Sequence, residues 1–182
     1  MAVKDIVHYG DPILRKKCSP VKDFSNLESL IDDLFDTMYE AEGIGLAANQ
    51  VGLDLNLFVI HISDTDEDDI PRVFINGEIL ISEGKCVFPE GCLSMPLVSL
   101  EVARPETITF RYQSLDKGWE EEVFSDLLGR AIQHEMDHLN GILIIDRVSS
   151  IEKMKVNKEL KEIKRNAEKK MGKRSIEKMF VL

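Results

Sequence analysis

His134-Glu135-Met136-Asp137-His138 is the stretch of this chain best suited to chemistry. It reads H-E-x-x-H. On a helix, histidines at i and i+4 leave one face a turn apart and can grip a single metal ion. The intervening Glu135 falls about 100° round the helix from His134. There it can stand beside a metal without ligating it, as a general base for water would. A catalytic site usually takes three protein ligands and keeps one position open, so a third ligand is needed. Cys92, next to Gly91 and bracketed by Pro89 and Pro96, sits on constrained backbone. It reads either as a buried free thiol or as that ligand, since a thiolate with two imidazoles suits Zn²⁺ or Fe²⁺. Cys18 and Cys86 lack such a setting and read as structural. Gln50, at the end of Gly43-Ile44-Gly45-Leu46-Ala47-Ala48-Asn49-Gln50, carries an amide that could face a developing negative charge or satisfy a buried carbonyl.

Several elements must position these groups. Ser25-x-x-Glu28 reads as a capping box. After it Leu27, Leu30, Ile31, Leu34, Phe35, Met38 and Ala41 recur at helical spacing until about Gly43. A buried strand is expected over 55–62, with His61 in it read as packed or at the surface, followed by a solvated acidic loop from Ser63 to Asp69. Residues 72–76 and 78–82 read as two short strands about a turn at Asn76-Gly77. Residues 106–113 and 119–124 alternate as a hairpin around 114–118. Ser125 or Asp126 can cap the H-E-x-x-H helix, which should run to about Asn140 and stop at Gly141. A short apolar strand is expected over 142–145. Ser149-x-x-Glu152 then starts a final helix carrying Ile151, Met154, Leu160, Ile163 and Ala167. The expected fold is α+β: antiparallel strands around a central helix bearing the H-E-x-x-H motif, with a C-terminal amphipathic helix.

At 182 residues, 43% hydrophobic and 31% charged, the chain has the makings of one soluble domain. No apolar run approaches the roughly 20 residues of a membrane span, and the N-terminus has no signal-peptide h-region. Three cysteines without paired spacing argue against a disulfide framework and for a cytoplasmic setting. The net charge of −10 is uneven. Residues 151–182 hold eleven Lys and Arg against five Glu, a net +6, so the first 150 carry −16. That acidic body speaks against direct DNA binding.

Three separated motifs occur in order: GIGLAANQ at 43–50, EGCLS at 90–94 and QHEMDH at 133–138. Together they resemble the three signature motifs of peptide deformylases, over a stretch from about Tyr9 to Arg147. The resemblance implies a metal-dependent hydrolase that removes the formyl group from the N-terminal methionine of nascent polypeptides. A metal-activated water would attack the formyl carbon and formate would leave. By the same resemblance, Cys92, His134 and His138 would hold one divalent metal. Fe²⁺ is expected in the cell, and Zn²⁺, Ni²⁺ or Co²⁺ in purified protein. Glu135 would move the proton, and the Gln50 amide and Leu93 backbone N–H would hold the oxyanion. Gly45 would touch the peptide through its backbone. Ile44, Phe88, Leu127, the stem of Arg130, Ala131 and His134 would form the methionine pocket. Glu90 and Asp137, with Arg104 as charge partner, would orient the histidines.

The resemblance further implies a catalytic domain over 1–148 and a basic helix and tail over 149–182 packed on it. That lysine-rich helix suits docking on ribosomal RNA phosphates. Three positions depart from the family's common pattern: Asn49, where Pro or Thr is frequent; Asn76-Gly77 in place of Asn-Pro; and Ser99, where several members carry a substrate-contacting Arg. Two rival readings remain at the level of sequence. One is a zinc peptidase that takes Glu159 or Glu162 as third ligand. The other is a non-catalytic protein with a structural metal.

Overall fold

In a computed structural model of the chain, residues 2–63, 70–116 and 118–180 are described, the last eight of these by backbone alone. The acidic stretch expected as a loop falls largely on 64–69, outside the described residues.

Helix α1 (Leu27–Glu40) forms where the apolar spacing demands it and buries Leu27, Ile31, Leu34 and Met38. Its start differs from the expected capping box. Asn26 is the N-cap, left-handed at φ 64° and without a side-chain cap. The Ser25 amide and hydroxyl instead donate to Asp23 Oδ1, at 2.9 and 2.6 Å. An Asx turn two residues back thus outcompetes the box for the same serine. The helix ends in a Schellman motif: Gly43 N–H donates to Met38 O at 2.9 Å and Glu42 N–H to Tyr39 O at 3.0 Å. The left-handed residue is Glu42, φ 55°, one position before the expected glycine.

The chain then gives β1 (Gly45–Ala47), a 3-10 turn (Ala48–Val51), β2 (Leu57–Ile60), β3 (Arg72–Glu83), β4 (Cys86–Gly91), β5 (Ser99–Arg104), β6 (Thr107–Gln113) and β7 (Trp119–Phe124). One antiparallel sheet runs β1-β2-β3-β6-β7, and β4 and β5 pair separately. His61 follows β2, and its Nδ1 lies 2.8 Å from the Tyr39 hydroxyl. The two strands expected about Asn76-Gly77 are one strand, β3. Its register shifts between Ile75 and Glu78 while its partner changes from β2 to β6. The irregularity is a bulge rather than a hairpin, with Asn76 at φ 54°. The Asn76 amide bonds both Val21 N and Val21 O, at 2.7 and 2.9 Å. A Cβ on Gly77 would come 2.3 Å from the Phe110 ring, so that position is closed to side chains. Outer strand β7 exposes Trp119 and Val123 and carries Glu120, Glu121 and Glu122 in succession.

Helix α2 (Asp126–Leu139) carries the H-E-x-x-H motif. Ser125 is its N-cap by position, yet its hydroxyl turns to Asp126 Oδ2 at 2.6 Å and caps no backbone amide. A Cβ on Gly129 would lie 2.9 Å from Phe124 O, so glycine lets the first turn press against the end of β7. Ala131, Ile132, Met136 and Leu139 pack on an aromatic core of Phe58, Phe74, Phe110, Tyr112 and Phe124. The stretch expected as a strand over 142–145 is a 3-10 turn (Ile144–Asp146), with Leu143 N–H donating to Asp146 Oδ2 at 2.9 Å.

The final helix is broken at Val156 into α3 (Ser150–Lys155) and α4 (Asn157–Phe180). Ser149 caps α3 by accepting from Glu152 N–H at 3.2 Å. Leu160 and Ile163 pack with Leu14, Leu100, Val102 and Leu143. Ile151 and Met154, expected on the buried face, are exposed. Among the described residues no helix is long and apolar enough to cross a membrane. All three cysteines are free, Cys18 buried and Cys86 exposed.

Candidate metal centre

Three segments deliver the chemistry. Helix α2 presents His134, Glu135 and His138. The turn after β4 presents Cys92 and Leu93, closed by Met95 N–H donating to Cys92 O at 2.9 Å. The β1 segment and its 3-10 turn present Gly45 and Gln50. The ligand atoms of Cys92, His134 and His138 lie within 4.8 Å of one another, the only such group among the described residues. Glu159 and Glu162 are not part of it. Cys92 Sγ stands 3.2 Å from His138 Nε2, and the two imidazoles are 5.1 Å apart at their centroids. One sulfur and two imidazole nitrogens at these separations form a donor set that fits a divalent transition metal.

His134 is oriented from behind: its Nδ1 lies 3.0 Å from Glu90 Oε2. Glu90 is in turn held by Arg104, whose Nε and Nη2 donate at 2.6 and 2.9 Å. Arg104 Nη1 donates to Asp137 at 2.8 Å, and Arg147 also donates to Asp137. Burial pushes the Glu90 carboxyl up, but the His134 and Arg104 hydrogen bonds outweigh it and hold the pKa at about 2. Glu90 is therefore an anion throughout the neutral range. Burial would lower His134 too, but hydrogen bonds to Cys92 and Glu90 raise it well above its ordinary value. His138 is lowered, first by burial and then by His134. An imidazole kept neutral is the form that ligates metal.

Glu135 is buried and its Oε2 has no hydrogen-bond partner among the described residues. Burial raises its pKa to about 7. Its other oxygen faces Gly45, where a Cβ would come within 2.7 Å. Only glycine lets β1 lie against that carboxylate. Gln50 is fixed by Oε1 accepting from Ala47 N–H at 2.8 Å. Its Nε2 points to Ser94 Oγ at 3.2 Å and Cys92 Sγ at 3.9 Å. Asn49, one of the departures noted above, donates from Nδ2 to His138 O at 2.6 Å. The change thus ties the motif helix to the loop that carries Gln50.

A cavity of about 390 Å³ opens over the centre. Ile44, Phe88 and Leu127 are exposed on its wall, while Ala131 and Arg130 lie buried beneath. All of the residues named in sequence for the pocket therefore border one space. Sequence reasoning missed the Arg130 guanidinium, which bonds Glu90. It also missed Ser94 as a partner of Gln50. Arg130 stands four residues before His134, and that spacing was the available signal.

A polypeptide deformylase family model matches residues 3–154. The chain belongs to the polypeptide deformylase family. A peptide deformylase of Acidobacterium capsulatum is 43% identical over 169 residues, covering 92% of this chain and 99% of that one. The crystal structure of a peptide deformylase from Legionella pneumophila superposes with a TM-score of 0.82 at 40% identity, covering 90% of this chain and 96% of that one. That from Thermus thermophilus gives 0.84 at 37% identity, covering 91% and 99%. Family membership makes this deformylase an amide-cleaving hydrolase of protein biosynthesis, with the mixed helix and antiparallel-sheet fold of its relatives. The deformylase family is metal-dependent, and the Cys92, His134 and His138 cluster is the group here that could hold the metal.

Proposed function

We propose that this chain removes the formyl group from the N-terminal formyl-methionine of nascent polypeptides in the cytoplasm, releasing formate. One observation carries the reading in detail. Three metal-ligand atoms and the Glu135 carboxylate, whose Oε2 has no hydrogen-bond partner among the described residues, converge beneath a single cavity. Cys92, His134 and His138 would hold one divalent cation, Fe²⁺ in the cell and Zn²⁺, Ni²⁺ or Co²⁺ in purified protein. When bound, such a cation supplies Lewis acidity, which brings the pKa of water from 15.7 to about 7.

The protein's own groups do the rest. Glu135 accepts the proton as water attacks the formyl carbon, then passes it to the departing amine when the C–N bond breaks. Its burial suits both halves, because desolvation raises the carboxyl above its ordinary value and so favours its taking up the proton that it later gives back. The Gln50 amide, anchored through Ala47, and the Leu93 N–H hold the charge that develops on the formyl oxygen. Glu90 keeps His134 facing the centre. Ile44, Phe88, Leu127, Ala131 and the Arg130 stem receive the methionine side chain, and the Gly45 backbone runs along the peptide. Residues 1–148 would form the catalytic body. The basic helix over 149–182 would pack on it and present lysines to ribosomal RNA.

Formate release from a short formyl-Met peptide tests the reading, using protein purified without oxygen, before and after chelation. Chelator-sensitive formate supports it. Absence of formate from protein holding one metal per chain and a reduced Cys92 would overturn it. Metal retained after Cys92→Ala would move the third ligand elsewhere, as the peptidase reading requires.

A further inference from the structure

Arg130 is 9% exposed, and its guanidinium joins groups that belong to two different tasks. Nη1 donates to Glu90 Oε1 at 2.6 Å and to Val102 O at 3.1 Å, and Nη2 donates to Cys86 O at 2.8 Å. The same group lies 5.9 Å from the centroid of the Phe88 ring. It therefore holds β4 near both ends, at Cys86 and at Glu90, and backs the aromatic ring between them. Arg130, Phe88 and Leu127 also line a second hollow of about 320 Å³ beside the first. An apolar wall for a thioether needs no arginine. Replacing both partners of a buried ion pair by apolar side chains is often neutral or stabilising, so stability alone does not call for a charged pair at this place. The need to reach a carboxylate and two carbonyls at once does, and a planar fork meets it. Arg104 also holds Glu90, but it does not border the cavity.

We propose that the Arg130 guanidinium is a positioning residue that couples methionine recognition to the metal site, fixing the pocket wall at Phe88 and, through Glu90, the His134 imidazole. The inference rests on the deformylase reading. It makes the two functions separable by substitution. Arg130→Met keeps an apolar stem and removes the fork. Arg130→Lys keeps a charge within reach of Glu90 but cannot also span Cys86 O and Val102 O.

The experiment measures kcat and KM on formyl-Met and formyl-Ala peptides, metal retention against a competing chelator, and Tm. For Arg130→Met, metal affinity should fall about tenfold. The preference for formyl-Met over formyl-Ala in kcat/KM should fall about tenfold as well. For Arg130→Lys, metal affinity should return to within a few fold while the preference stays low. Arg104 still pairs Glu90, which favours folding of both variants. A lower Tm with metal affinity and preference both unchanged in Arg130→Met would reduce Arg130 to scaffolding and overturn the coupling. Should that variant not fold, an unchanged preference in Arg130→Lys overturns it equally. Formate absent from metal-loaded wild type would instead bring down the deformylase reading itself.

Discussion

Helix α2 buries two faces of opposite chemistry. Toward the five-stranded sheet, Ile132, Met136 and Leu139 meet Phe58, Phe74 and Phe110. Toward β4 and β5, Arg130, His134 and Asp137 meet Glu90 and Arg104. The first face is held by apolar area and tolerates swaps that keep volume. The second is held by matched donors and acceptors, and removing one member leaves the others charged and buried. One helix can therefore be anchored by a face indifferent to chemistry while its other face is arranged for it.

Four substitutions can break or sharpen that division. Glu135→Ala should have the largest effect. It is expected to lower kcat about a thousandfold, within the range for losing a general acid–base group, with metal content unchanged. Because Glu135 leaves a buried oxygen unpartnered, Tm should hold or rise; a marked fall would mean that the carboxylate also supports the fold. Phe74→Ala, deep in the aromatic core at 1% exposure, should cost about 4 kcal/mol in denaturant titration. The kcat of the folded fraction should stay near normal, and a loss beyond tenfold would show that the two faces are coupled. Gln50→Ala should lower kcat about a hundredfold, near 3 kcal/mol of barrier, again with metal retained. Near-normal kcat would remove Gln50 from the mechanism. Arg15→Met deletes an exposed pair with Asp146 and should change stability by less than about 1 kcal/mol and kcat not at all.

The long periodic elements were legible in sequence because their signals repeat. The apolar stripe of α1 and the alternation of β6 each offer several residues that agree. What escaped turns on one residue choosing between two partners. Ser25 had both Asp23 and the helix N-terminus within reach, and the nearer carboxylate won. Asn76-Gly77 carries a hairpin's dipeptide, but Val21, far along the chain, takes up the asparagine amide and the strand runs on as a bulge. Apolar Ile142–Ile145 reads as a strand, yet Asp146 folds back on Leu143. At the centre, spacing pointed to His134 and His138 and left Cys92 open between a buried thiol and a ligand; the three motifs taken together named all three, whose ligand atoms converge. The Arg130 guanidinium was hidden by its own length: a side chain read for its stem was not asked where its charge ends.

The outer strand β7 has a consequence beyond the site. An edge strand with exposed Trp119 and Val123 offers backbone on which a second copy could add a strand. Glu120, Glu121 and Glu122 sit between those two residues. Laid antiparallel on its own copy, β7 would bring glutamates opposite glutamates. The acidic run thus disfavours that pairing, and replacing it with neutral residues should promote a two-fold dimer joined through β7, read as a doubled mass in size-exclusion chromatography, while kcat stays unchanged.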